Sequence, residues 1–268
     1  MLLLGIDLGT SSIKVSVIDA HSNKKIASTQ YPENEAAILS EQPGWAEQDP
    51  ASWWNYTKMA ILKLNSLGLY NPKNIGAIGI AYQMHGLVVV DKNGKPLRNS
   101  IIWCDSRAVE IGNNAFTQLN PPAFLESHLN SPGNFTASKL AWVKQNEPAI
   151  YEQIHKFMLP GDFLSMCFTG EINSNISSIS EGILWDFQQK NISNTLLNHY
   201  GISPDLVPQI LPVFGNYGRV KSDVAEELGL STDAFVSYKA GDQPNNALSL
   251  NVFEAGEVAA TAGTSGVK

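Results

Sequence analysis

Near its start the chain sets two apolar stretches, Leu2–Leu8 and Ile13–Asp19, around Gly9-Thr10-Ser11-Ser12. A glycine followed by three hydroxyl side chains has the character of a loop that holds phosphate. In dinucleotide-binding folds and P-loops such a loop runs from a strand into a helix, whose N-terminus faces the anion. Here Ile13-Lys14-Val15-Ser16-Val17-Ile18 alternate and are rich in β-branched types, which predicts a second strand instead. The chain must therefore bind its anion with a hairpin turn. Successive amides from Gly9 to Ser12 can converge on one concavity that attracts phosphate oxygens, and the Thr10, Ser11 and Ser12 hydroxyls add donors. Gly9 lets the backbone approach closely. Asp7, at the strand end, can hold a Mg²⁺ ion or its waters, and Lys14 offers a point charge to a phosphate. A β-turn with an incidental carboxylate is the alternative. Against it stands an echo downstream, Gly263-Thr264-Ser265-Gly266, because a triphosphate gripped between two lobes needs two such turns.

The stretch 25–31 reads as a third strand, joined by the turn His21-Ser22-Asn23-Lys24. Asp49-Pro50 supplies an N-cap and a proline at the first helical position. Trp53, Thr57, Ala60, Ile61 and Leu64 then mark one helical face. Ile75–Ala81 is nearly all apolar, as a buried parallel strand would be. A hairpin is expected from Leu87–Val90 and Leu97–Cys104 around Lys92-Asn93-Gly94. Helices are expected near 106–118, 136–146 and 161–168, then a looser Asn-, Ser- and Pro-rich region over 170–217. Ser222–Leu228 reads as a helix, Ala234–Ala240 as a strand, Pro244–Asn251 as a helix and Val258–Ala260 as a last short element. Three meander strands followed by helix–strand alternation predict an α/β chain with a mixed sheet and flanking helices. That is the layout of the ribonuclease H-like, actin-type ATPase fold.

Composition narrows the classes further. At 43% hydrophobic and 16% charged residues over 268 positions, the chain can bury one large core or two smaller ones. A net charge of −7 argues against a broad nucleic-acid surface, yet leaves room for a nucleotide held by a few amides and a metal ion. No apolar run approaches the ~20 residues of a membrane helix, and Met1-Leu2-Leu3-Leu4 is too short for a signal segment. Cys104 and Cys167 form no spaced metal motif, read as small apolar residues and point to a reducing compartment. The expected location is cytoplasmic. Oligomeric state stays open, a homodimer included.

Six segments, in order, carry a resemblance. They are Gly5-Ile6-Asp7-Leu8-Gly9-Thr10-Ser11, Trp45-Ala46-Glu47-Gln48-Asp49-Pro50 with Trp53-Trp54, Gly79-Ile80-Ala81-Tyr82-Gln83-Met84-His85-Gly86, Ile102-Trp103-Cys104-Asp105-Ser106-Arg107, Phe135–Val143 and Gly241-Asp242-Gln243. Together they resemble the FGGY carbohydrate kinases, and among them the xylulokinases. Gln243 stands where many xylulokinases have Asn, and Asn134 where Gly or an aromatic residue is more frequent. Family members are close to twice this length. The resemblance therefore implies an N-terminal sugar-binding lobe over 1–253 and the first strands of a C-terminal ATP-binding lobe over 254–268.

It also implies ATP and Mg²⁺ as cofactors and a small sugar as acceptor, D-xylulose giving D-xylulose 5-phosphate. Asp242 would be the general base and Asp7 the Mg²⁺-side carboxylate. Gly9, Thr10, Ser11, Ser12, Lys14, Gly263, Thr264 and Ser265 would contact the nucleotide. Gln83, Met84, His85, Trp103, Asp105, Asp242 and Gln243 would contact the sugar. Imidazole and amide groups read hydroxyls, a thioether packs on C–H faces, and an indole stacks on a sugar's apolar face. Asp105 and Arg107 are equally readable as hydroxyl partners or as a structural ion pair, and Trp53, Trp54 and Trp142 as core. Two other readings stay open: a kinase of another ketose, polyol or sugar acid, and a non-catalytic actin-like ATPase or sugar-binding module.

Overall fold

The computed structural model describes residues 1–262 together with 266 and 267. Strands β1 (Leu2–Leu8), β2 (Ile13–Asp19) and β3 (Lys24–Tyr31) form the expected antiparallel meander. Two strands, β4 (Ile75–Tyr82) and β5 (Phe235–Gly241), extend the sheet on the other side of β1. The order is β5-β4-β1-β2-β3, with β1, β4 and β5 parallel. Six of the helices are α1 (Pro50–Asn65), α2 (Thr136–Asn146), α3 (Pro160–Thr169), α4 (Ile176–Glu181), α5 (Ser222–Leu228) and α6 (Asp242–Ser249). No helix among the described residues is long and apolar enough to cross a membrane.

Period-two alternation directs Leu4, Ile6 and Leu8 of β1 to one face with Ile13, Val15 and Val17 of β2. α1 and α3 cover that face. The first begins where expected: the Asp49 carboxylate accepts the Ala51 N–H at 2.9 Å, with Pro50 in the first turn. Its buried residues include Trp53, Thr57, Ala60, Ile61 and Leu64, the predicted stripe. A second core gathers around α2, where Leu140 and Val143 meet Leu87, Val89, Phe157 and Leu197. Trp53 and Trp142 are core residues, and Trp54 packs edge-on against Phe168.

Some expectations change. β4 buries Ile78, Ile80 and Tyr82 on one face; on the other, Ile75 and Ala77 are buried as well, while Gly79, which has no side chain, and Ala81 border a recess. In the 87–104 hairpin the turn forms, with Asp91 accepting the Asn93 and Lys95 amides at 2.8 and 2.9 Å. Its second arm carries Pro96, which has no N–H to extend a ladder. The two arms still bond to each other, Leu97 N–H to Val89 O and Leu87 N–H to Ile101 O, both at 2.9 Å, while Val88–Val90 also pairs with Lys156–Met158 and Ser100–Ile101 with Glu47–Gln48. An additional helix, Pro121–His128, stands where no element was expected. Residues 258–260 form no regular element.

Candidate active site

The ladders fix the site. Leu8 is level with Tyr82, and Tyr82 with Gly241, so the three parallel strands end together. With neighbours about 4.8 Å apart, the outer two ends lie roughly 10 Å from each other. The chain leaves this single edge as Gly9–Ser12, as Gln83-Met84-His85 and as Asp242. Open α/β sheets place ligands at such carboxyl ends.

The Gly9–Ser12 turn is tight. The Gly9 N–H donates to Ser12 O at 3.2 Å, and a Cβ on Gly9 would lie 3.0 Å from that oxygen. Gly9 thus closes the turn with its own amide, a correction to the expectation that this N–H faces phosphate. Thr10 is likewise engaged: its hydroxyl donates to Gln83 Oε1 at 3.3 Å and accepts Trp103 Nε1–H at 2.9 Å. Ser11 is exposed and Ser12 half-buried. The expected second turn, Gly263, Thr264 and Ser265, lies outside the described residues.

Asp7 and Lys14 are cross-strand neighbours, 3.5 Å apart and both open to solvent. They border a recess of about 400 Å³ whose lining also includes Gly5, Gly79, Tyr238 and Asn245. Among the described residues no group of three or more His, Cys, Asp or Glu could hold a metal ion by itself. One accessible hard carboxylate fits Mg²⁺, which keeps several waters and takes its other ligands from phosphate oxygens.

After β4, Gln83 is buried and held at both ends of its amide: its nitrogen donates to Gln48 Oε1 at 3.0 Å, its side-chain oxygen accepts from Thr10, and its backbone N–H reaches Leu8 O at 2.8 Å. Gln48 sits at the centre of this brace, donating to Thr10 O at 2.8 Å and accepting Trp53 Nε1–H at 3.0 Å. Gln83 therefore braces the Gly9–Ser12 turn with the same amide that was expected at a sugar. Gln48 belongs to a segment the resemblance flagged, but no sequence signal gave it this role.

His85 adopts a left-handed backbone conformation, φ 61°. Its Nδ1 lies 3.2 Å from Glu181 O; a carbonyl only accepts, so Nδ1 carries the proton and Nε2 presents a lone pair. The ring meets Phe135 edge-on at 4.6 Å, and the His85 carbonyl accepts Lys139 Nζ at 2.7 Å. Burial first, and then the Lys139 charge, push the imidazole down to about 4. Burial brings the Lys139 amine itself down to about 7. Half-buried Met84 lies against Gly241, where an added Cβ would come within 2.4 Å of its Cγ.

Asp242 opens α6 and is half-buried; burial raises its pKa, the Asp7 charge adds to this, and the Gln243 amide opposes it. That the two aspartates sense each other accords with the shared edge. Gln243 follows, half-buried. Trp103 is 50% exposed, so its indole face is open while its N–H is tied to Thr10. Cys104, read as a small apolar residue, is exposed beside it.

Asp105 corrects the expected sugar contacts. It is fully buried, accepts the Ala46 N–H at 2.6 Å and the Arg107 N–H at 2.8 Å, and receives the Arg107 guanidinium through Nε and Nη2. Arg107 lies over Trp45 at 3.7 Å and Trp142 at 4.9 Å. Every Asp105 oxygen is committed, and the pair is structural.

Comparison with known proteins fits this arrangement. The model of the FGGY family of carbohydrate kinases, N-terminal domain, matches residues 2–249. The chain is 34% identical over 271 residues to a xylulose kinase of Staphylococcus epidermidis, covering 99% of this chain and 52% of that protein. With a xylulose kinase of Escherichia coli K12 it shares 32% over 265 residues, 98% of this chain and 53% of the relative. A solved xylulose kinase from Brucella ovis superposes with a TM-score of 0.89 at 31% identity, covering 99% of this chain and 54% of that one. The chain spans about half the length of the curated relatives it matches. By sequence and by its mixed sheet of the actin-like ATPase fold, the chain belongs to the FGGY family of carbohydrate kinases, matching that family's N-terminal domain.

Proposed function

We propose that the protein carrying this chain transfers the γ-phosphoryl group of ATP to a hydroxyl of a keto-pentose, with D-xylulose the preferred acceptor. One observation carries the reading: Asp7 with the Gly9–Ser12 turn, His85 and Asp242 all leave one sheet edge, as in-line transfer between two ligands demands. Xylulose kinases at 32–34% identity support the choice of sugar. Residues 1–253 then act as the sugar-binding lobe, and 254–268 begin the ATP-binding lobe, with Gly263, Thr264 and Ser265 as its phosphate turn.

Phosphoryl transfer asks the protein for position and charge more than for covalent work. Asp242 accepts the hydroxyl proton, and its raised pKa makes it a better base than an ordinary aspartate. His85 Nε2 accepts a hydrogen bond from a second hydroxyl, while the open face of Trp103 packs on sugar C–H groups. Ser11, Ser12 and Lys14 face the phosphates. Asp7 is the carboxylate for Mg²⁺, which when bound neutralises phosphate charge.

A coupled ADP-release assay of the full-length gene product across ketoses, polyols and sugar acids tests this. D-Xylulose is expected to give the highest kcat/KM. Asp242→Asn is expected to lower kcat by about 10²–10⁴-fold while sugar Kd stays within a few-fold. ADP release that no sugar stimulates sinks the reading and favours an actin-like ATPase or a sugar-binding module.

A further inference from the structure

Glu181 ends α4 behind the acceptor site, is 8% exposed, and belongs to no motif in the sequence. Its Oε1 accepts the His85 N–H at 3.4 Å, and its main-chain oxygen faces His85 Nδ1. Its Oε2 is buried with no hydrogen-bond partner among the described residues. That oxygen lies only 2.5 Å from where a Cβ on Gly241 would stand, one residue before Asp242. Buried polar atoms are normally satisfied, so an orphan oxygen between the two halves of a site calls for an explanation.

The His85 backbone supplies one. A non-glycine residue at φ 61° persists only where its surroundings over-determine it. Here Lys139 holds the His85 carbonyl, and Glu181 holds the His85 amide and ring. Burial, followed by the charges of Asp162 and Asp242, pushes the Glu181 carboxyl well above the usual carboxylate range, and so it can stand uncharged beside Asp242.

We infer that Glu181 is a positioning residue: by holding His85 from behind and lying against Gly241, it fixes the separation between the sugar-reading imidazole and the aspartate that takes the proton. This assignment rests on the kinase reading for what the site does, while the clamp is a property of the three residues alone.

Three variants of the full-length protein test it. Glu181→Ala is expected to speed hydrogen exchange at the His85 amide about tenfold. It should raise ketose KM about tenfold while leaving ATP KM within about twofold. Glu181→Gln keeps the shape and the Oε1 acceptor, and is expected to restore each value to within about threefold of wild type. If the alanine variant does not fold, Glu181→Asp decides, because the shortened side chain withdraws from both contacts and should raise ketose KM alone. Wild-type His85 exchange and ketose KM in the alanine or aspartate variant, or equal rises in ketose and ATP KM, overturn the inference. Exchange is read without substrate, so a failed sugar panel refutes the kinase reading while the clamp is still judged.

Discussion

Burial and the Lys139 charge hold the His85 pKa near 4, so this ring is neutral near pH 7, with its proton on Nδ1 and a lone pair on Nε2. The pH dependence follows. An unfolded chain takes up the His85 proton near 6.5, the folded one only near 4. Between those values the unfolded state binds more protons, so stability rises with pH and is lost as pH falls from about 6.5 to 4. Thermal melts are expected to show Tm dropping across that window, and less steeply in His85→Gln. Residue scale is also where the sequence misled. It displays Thr10, Gln83 and Asp105 as polar groups near a site, but not the partners that hold them. Gln83 is held by Gln48, 35 positions away, and Asp105 by Arg107 and the Ala46 amide.

At the scale of elements, α3 reaches β4 through Gly161, where a Cβ would fall 2.0 Å from the buried Tyr82 ring. Tyr82 ends β4 and immediately precedes Gln83, so this close approach seats the start of Gln83-Met84-His85 at the sheet edge. Gly161→Ala is expected to cost about 1–3 kcal/mol, read from the urea midpoint at unchanged m-value. The neighbouring helix α1 was legible because cap, proline and a repeated apolar stripe all agree within 16 residues. By contrast, α4 was hidden in the Asn- and Ser-rich stretch read as loose. Asn175 caps it by accepting the Ser178 N–H at 3.0 Å, and the same side chain donates to Lys239 O, 64 positions on. Lys239 in turn pairs with buried Asp162 at 2.8 Å. Polarity that serves distant partners looks like loop when only neighbours in sequence are visible, and Glu181 was missed for that reason.

For the whole molecule, one sheet face is core and the other opens onto the recess beside Asp7 and Lys14. The second strand was legible from alternation and β4 from its nearly all-apolar run; that β1, β4 and β5 end together was not, because ladder register is a tertiary property. Transfer in hinge-closing kinases requires two lobes to shut on their ligands. The 268-residue chain alone is therefore expected to bind ketose weakly in titration calorimetry and to release no sugar phosphate in the coupled assay. Strong turnover by this chain alone would overturn the two-lobe picture.

The level strand ends make the β1–β4–β5 ladder a gauge block for the spacing of His85 and Asp242. Each residue of strand advances the chain by about 3.3 Å, so one residue inserted in β4 or β5 would carry His85 or Asp242 beyond hydrogen-bond reach of a common ligand. A residue inserted in the loops around this edge leaves that spacing in place, whereas one inserted in these strands shifts it.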